Sequence, residues 1–254
     1  MRREQLTAQA SILFGSYAFA ITLSSFIHEV GHILAMRYYG ITSIRLVINP
    51  LTESYAMPLV SLPSEHMLLF SSSGMIFQFM VTTLIAGLLW RRRNILALPL
   101  LTCFPLSLLN IGSYLLMGGI VDGSDVLLMA DAGLPLSVIR IVGIITLLVG
   151  VYAFTRILDG MGMRADSSML EIALPIVSSF SLYGLAMLIY GYYSGYGTMI
   201  GSINLVMAPI LTAVLTLVFK KTGPNEDAAV SYPGSEFRIL GLGLVSVLFC
   251  LLYF

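Results

Sequence analysis

The chain has 254 residues, of which 57% are hydrophobic and only 10% charged, and its mean hydropathy is +0.92. A soluble domain carries charge nearer a quarter of its residues, so this composition excludes one and indicates a polytopic protein of the lipid bilayer. The formal net charge is zero, which offers no basic field for nucleic acid.

A spanning helix needs about 20 mostly apolar residues. The first such run, Ala10 to Ala35, is too long for a signal peptide, and no cleavage is expected. In its last third stands His28-Glu29-Val30-Gly31-His32. On a helix, the two histidines share one face and their imidazoles can hold one metal ion, with Glu29 beside them as general base. A carboxylate and two imidazoles are costly in hydrocarbon, which makes function the default reading of the stretch. Structural pairing of the polar side chains is the bland alternative.

The less apolar segment from Met36 to Glu65 holds two β-rich runs, Ile41 to Ile48 and Ser54 to Leu62, around Asn49-Pro50. They predict a β-hairpin with its turn at Asn49-Pro50. The second span is His66 to Trp90, closed by Arg91-Arg92-Arg93, which reads as a topology anchor. The third runs from Ile95 to Val121, and Pro99 and Pro105 predict that it is kinked or partly unwound. An acidic connector with Asp122, Asp125 and Asp131 follows. Later spans are Leu136 to Leu158, Ile172 to Tyr190 and Met199 to Phe219, and the run from Ile239 to Phe254 would be a seventh. Cys103 and Cys250 sit in apolar runs and read as small buried hydrophobes.

The expected fold is therefore all-α, a polytopic membrane protein of six to seven transmembrane helices with a small β-hairpin after the first. Basic residues orient it. With the N-terminus cytoplasmic, Arg2, Arg3, Arg91, Arg92, Arg93, Arg156, Arg164, Lys220, Lys221 and Arg238 lie inside, and only Arg37, Arg45 and Arg140 outside.

Two histidines leave a catalytic zinc site short of a third protein ligand. The first and third spans run in the same direction, so the far end of the third, at Asp122 and Asp125, reaches the membrane side of His28 and His32. Asp159 ends the fourth span and faces the other side. Parity leaves Asp122 or Asp125 as the third ligand, with a solvated loop as the bland reading of each.

These residues resemble the site-2 proteases, zinc metalloproteases that cut substrates within the membrane. His28-Glu29-Val30-Gly31-His32 and the exit Ile33 to Gly40 look like the family's first catalytic helix, and the hairpin like the strands thought to pair with an unwound substrate. Gly74-Met75-Ile76-Phe77-Gln78 echoes a G-P-x-x-N element, with Met for Pro and Gln for Asn. Asn110 and Val121-Asp122-Gly123 resemble the asparagine and L-D-G segment, although the spacing is longer and the proline between them is missing. The family's shorter branch uses an S-D segment before Gly-Leu-Pro, which Ser124-Asp125 and Gly133-Leu134-Pro135 match better. The likeness covers roughly residues 1–135, a catalytic membrane core. Residues 136–254 supply further transmembrane helices of unassigned role.

The resemblance implies one Zn2+ per chain on His28, His32 and one aspartate, Glu29 as catalytic base, Asn110 and Gln78 as substrate-binding residues, and a transmembrane protein as substrate. It also implies a catalytic helix running inward, opposite to the direction that the basic residues favour. Two other readings compete with it. A prenyl-protein or stress-type protease would use Glu171, which opens the fifth span on the wrong side. A transporter or inactive homologue would use His28 and His32 to bind or relay ions. His66 reads as an interfacial residue, and Met161-Gly162-Met163 as packing.

Overall fold

A computed structural model describes residues 3–89, 97–120, 124–161, 163–195, 199–222 and 236–253. Helix α1 (Arg3–Tyr38) leads to strands β1 (Ile44–Val47) and β2 (Tyr55–Pro58), followed by α2 (Met67–Leu89) and α3 (Ala97–Met117). A short α4 (Asp125–Asp131) precedes α5 (Leu136–Gly160), α6 (Met169–Ser194), α7 (Met199–Thr222) and α8 (Glu236–Tyr253). All of these helices except α4 are long and apolar enough to cross a membrane, making seven candidate spans among the described residues. The chain is thus a multi-pass, nearly all-α membrane protein with one two-stranded hairpin.

α1 is the hub. It packs against α2, α3, α6 and α8, while α5 lies on α3 and α7 on α6. Its 36 residues span ~54 Å, well beyond the ~30 Å of a bilayer's hydrocarbon, so its ends stand outside the apolar layer or it tilts. It stops at Gly40, whose φ of 77° suits a residue without a Cβ. The Gly40 amide returns to the Arg37 carbonyl and the Ile41 amide to Met36, while the Ile41 side chain packs on Met36. This pair of bonds, with its hydrophobic contact, is a Schellman ending. The chain then turns directly into the hairpin.

The hairpin is antiparallel, with Ile44 opposite Pro58 and Leu46 opposite Ala56. The Leu59 amide donates to Ser43, so hydrogen-bonded pairs fall on 43/59, 45/57 and 47/55 by alternation. Ala56 and Pro58 therefore turn their backbone groups away from β1. Pro58, which has no N–H, sits where none is needed. Asn49 shapes the predicted turn by accepting the Leu51 amide on Oδ1 at 3.0 Å. That turn is buried, not solvated: residues 48–51 are all enclosed.

α3 differs from its prediction. Pro99 lies in its first turn, where the missing N–H costs nothing, and Pro105 interrupts one bond without unwinding the helix. It ends at Met117, before Gly118-Gly119, and not at Val121. The acidic connector contains a short helix, α4, capped by Ser124, so the solvated-loop alternative does not hold for Asp125. Asp122 and Arg91-Arg92-Arg93 lie outside the described residues.

The larger core joins α1, α3, α5, α6 and α7 around Phe154, Leu158, Ile176, Leu215 and Phe219, all fully buried. A smaller cluster of Met75, Ile111, Leu115, Val126, Met129 and Ile139 fixes α4 between α2, α3 and α5. That second cluster carries Asp125 to the histidines. Cys103 and Cys250 are buried and free, in keeping with their reading as hydrophobes.

Candidate metal centre

His28 and His32 project from one face of α1, and Asp125 reaches them from the first turn of α4. The Nε2 atoms of the two histidines are 3.1 Å apart, and Oδ2 of Asp125 lies 3.5 Å from His28 Nε2 and 3.3 Å from His32 Nε2. Zinc bonded at ~2.0–2.1 Å in a tetrahedron separates its ligand atoms by ~3.3–3.4 Å. The triangle of ligand atoms thus has the edges that such an ion requires.

The partners on the far side of each ring explain why these atoms converge. His32 Nδ1 is 2.8 Å from the Phe70 carbonyl, and His28 Nδ1 is 3.1 Å from Gln78 Oε1. Both partners are acceptors, so each Nδ1 carries the proton and each Nε2 presents a lone pair. Two lone pairs and a carboxylate oxygen therefore meet with no donor between them, and a cation relieves that repulsion.

Asp125 is held from its backbone. Its amide donates to the Tyr114 hydroxyl at 3.1 Å, and Ser124 caps α4 while its own hydroxyl donates to the Gly118 carbonyl. On the other side, the α1–α2 crossing is tight. A Cβ on Gly31 would lie 2.5 Å from the Ser73 carbonyl, and one on Gly74 would lie 2.5 Å from His32 Nε2 and 2.6 Å from His28 Nε2. Gly74 is the floor of the site.

Glu29, next to His28 in the chain, is only 4% exposed. Strand β2 packs on α1 beyond it, with Ala56 buried against Met36 and Phe70.

The remaining sequence candidates are dispersed. Gln78, expected to bind substrate, is fully buried and supports His28. Asn110 is exposed on α3, on the face between Ser107, which bonds Ser24 at 3.0 Å, and Tyr114, which bonds Asp125. Asp159 stands at the far end of α5, and Glu171 closes a capping box with Ser168 at the start of α6. His66 stacks on Tyr39 at 3.8 Å. Sequence reasoning missed Gly31, Phe70 and Tyr114. Gly31 lies inside the motif, but Phe70 acts through a backbone group that no side-chain pattern reveals.

No family model matches the chain, and neither a curated protein nor a solved structure matches it.

Proposed function

We propose that the protein is a zinc-dependent intramembrane protease, with His28, His32 and Asp125 holding the metal and Glu29 acting as general base. The observation that carries this reading is the meeting of three lone-pair atoms, at tetrahedral spacing, on a helix that also carries a second, buried carboxylate, Glu29. Zinc bound there would supply Lewis-acid activation of water and of the scissile carbonyl. Glu29 takes a proton from the attacking water as its oxygen adds to the carbonyl carbon, and returns it to the amide nitrogen as the C–N bond breaks.

The substrate is a transmembrane protein segment. Its helical peptide bonds are shielded, so it must unwind before attack, and the hairpin packed on α1 can hold the opened segment as an added strand. Asn110 is an exposed polar side chain on a spanning helix, suited to receive backbone groups of that segment. The distribution of Lys and Arg favours a cytoplasmic N-terminus, which puts the site toward the outer side.

The test uses full-length protein in nanodiscs and a leucine-rich transmembrane peptide with a central Asn-Gly pair and a donor–quencher label. Wild type should contain one zinc per chain and cut the peptide. Glu29→Gln should keep its zinc and lose at least about a thousandfold in rate, and Asp125→Ala should lose zinc. Cleavage retained in Glu29→Gln would overturn the mechanism. Stoichiometric zinc with an uncut peptide would leave an ion-binding membrane protein.

A further inference from the structure

The membrane face opposite the metal centre carries a second feature. Counting the spans from α1, whose C-terminal half bears the metal ligands, α6 begins and α7 ends on that opposite face. Between these two helix ends lies a crevice of about 280 Å3, lined by Met169, Leu170, Ala173, Ala213, Thr216 and Leu217. All but Thr216 are apolar, and Leu170 and Leu217 are 80% and 57% exposed. Thr216 is only 3% exposed, and its hydroxyl has no hydrogen-bond partner among the described residues. Its neighbours on α7 behave otherwise. Thr212 and Thr222 donate to the carbonyls four residues back, at 2.7 and 2.8 Å.

The crevice ends in positive charge. Residues four apart on a helix stand one above the other, so Lys220 follows Thr216 along the wall and Lys221 follows Leu217. Lys220 Nζ donates to the Ser167 carbonyl at 2.7 Å and to the Ala165 carbonyl at 3.2 Å, which holds its ammonium beside the start of α6. An ammonium has three donors, so one remains. Lys221 is exposed and has no carboxylate partner among the described residues. The acids nearest in the chain to the start of α6 are engaged: Asp166 pairs with Arg164 at 2.9 Å, and Glu171 accepts the Ser168 amide at 3.0 Å.

We propose that this crevice binds one anionic phospholipid, with an acyl chain along Ala173, Ala213 and Leu217 and the phosphate on Lys220 and Lys221. The order of groups along the wall is the order of groups in such a lipid. The phosphate meets the lysines, and one helical turn deeper, ~5.4 Å, an ester carbonyl supplies the acceptor that Thr216 lacks. Beyond it the chain covers apolar side chains. Two ammonium groups select an anionic headgroup over a zwitterionic one. The distribution of Lys and Arg that favours a cytoplasmic N-terminus puts the crevice in the cytoplasmic leaflet, where anionic lipids concentrate. The inference is independent of the protease reading and gives residues 136–254 a ligand of their own.

The test uses the full-length chain, delipidated in detergent, with native mass spectrometry during titration by phosphatidylglycerol or phosphatidylcholine. Wild type should hold one phosphatidylglycerol per chain, at least about fivefold more tightly than phosphatidylcholine. Lys221→Gln should weaken phosphatidylglycerol about fivefold, the contribution of one lysine near an anionic headgroup, and leave phosphatidylcholine unchanged. Ala173→Phe fills the crevice and should displace both lipids. Should that variant fail to fold, as judged by gel filtration and melting, Ala213→Phe takes its place. Glycerol 3-phosphate, which has the phosphate without the chains, should not compete even in molar excess.

Equal affinity for the two lipids in wild type overturns the inference, as does undiminished phosphatidylglycerol binding in Lys221→Gln or in the crevice-filled variant. Competition by glycerol 3-phosphate would mean that the lysines bind free phosphate, which overturns a lipid site. Zinc content and cleavage enter none of these readings, so failure of the protease reading leaves them intact.

Discussion

Two helix crossings in this molecule are built with the same device. At the α1–α2 crossing, Gly31 and Gly74 let the backbones approach until a Cβ on either would collide. At the α3–α5 crossing, Gly112 and Gly143 do the same, and a Cβ on Gly112 would lie 2.6 Å from the Leu147 amide. Small residues are the general means of close packing in a bilayer, where hydrophobicity does not drive helices together. The α3–α5 crossing uses the proximity for dispersion contacts alone. At α1–α2, the proximity brings Gly74 under two imidazoles and puts Phe70 and Gln78 where their oxygens reach the Nδ1 atoms. The close approach is shared, and the chemistry comes from the side chains beside it.

Adding one methyl group to each crossing separates the two roles, with the largest effect at the site. In Gly74→Ala the new Cβ would lie 2.5 Å from His32 Nε2, against ordinary contact at 3.4 Å or more. The nitrogen must retreat by ~0.9 Å, where metal–ligand distances tolerate ~0.2 Å. Zinc affinity should fall by at least about a hundredfold, read by metal retention against a graded chelator. Gly112→Ala meets backbone atoms, so the helices must part, at a cost of roughly 1–3 kcal/mol. The folded fraction should then keep its full zinc content while melting earlier. Equal zinc loss in the two variants would mean that Gly74 is only a packing residue.

A smaller effect is expected from Gln78→Leu, which keeps much of the side-chain volume. His28 loses the acceptor that fixes its tautomer, and the buried Nδ1–H is left unpaired. Partners of this kind affect metal affinity by about 10–100-fold, so zinc should bind more weakly without being lost at saturating metal. Unaltered zinc affinity, measured by competition, would return Gln78 to the substrate-binding role suggested by its place in the sequence.

How far the sequence revealed this site follows from the distance over which each signal acts. His28, Glu29 and His32 are local, since a helical period alone puts both imidazoles on one face. The parity of the spans narrowed the third ligand to Asp122 or Asp125 but could not choose between them, and α4 itself went unread because seven helical residues are too few for a periodic pattern. Asn49-Pro50 announced the turn correctly but not its burial. The side chain that encloses it, Tyr183, lies 133 residues away in an apolar run where one tyrosine looks like any other. Phe70 was illegible for another reason: its contribution is a backbone carbonyl, which every residue possesses. The seven spans, by contrast, are written in composition. The third was drawn four residues too long because Gly118-Gly119 was read as helix and not as its end.

The least effect is expected one turn before the motif. Ser24 and Ser107 join α1 to α3 through a 3.0 Å hydroxyl pair, both side chains buried, at the approach to the metal centre. Hydrogen bonds between spanning helices average about 0.6 kcal/mol, because the separated helices find other partners in the membrane. A serine on a helix has such a partner at hand in the carbonyl four residues back. Ser24→Ala leaves Ser107 free to turn its hydroxyl to the Cys103 carbonyl, so the loss should be small. Stability in a graded-denaturant assay should drop by roughly 0.6 kcal/mol, with zinc content and peptide cleavage at wild-type levels. A large fall in cleavage with zinc retained would instead mean that the α1–α3 contact shapes the path to Glu29. The two glycine crossings would then no longer account for the geometry of the site by themselves.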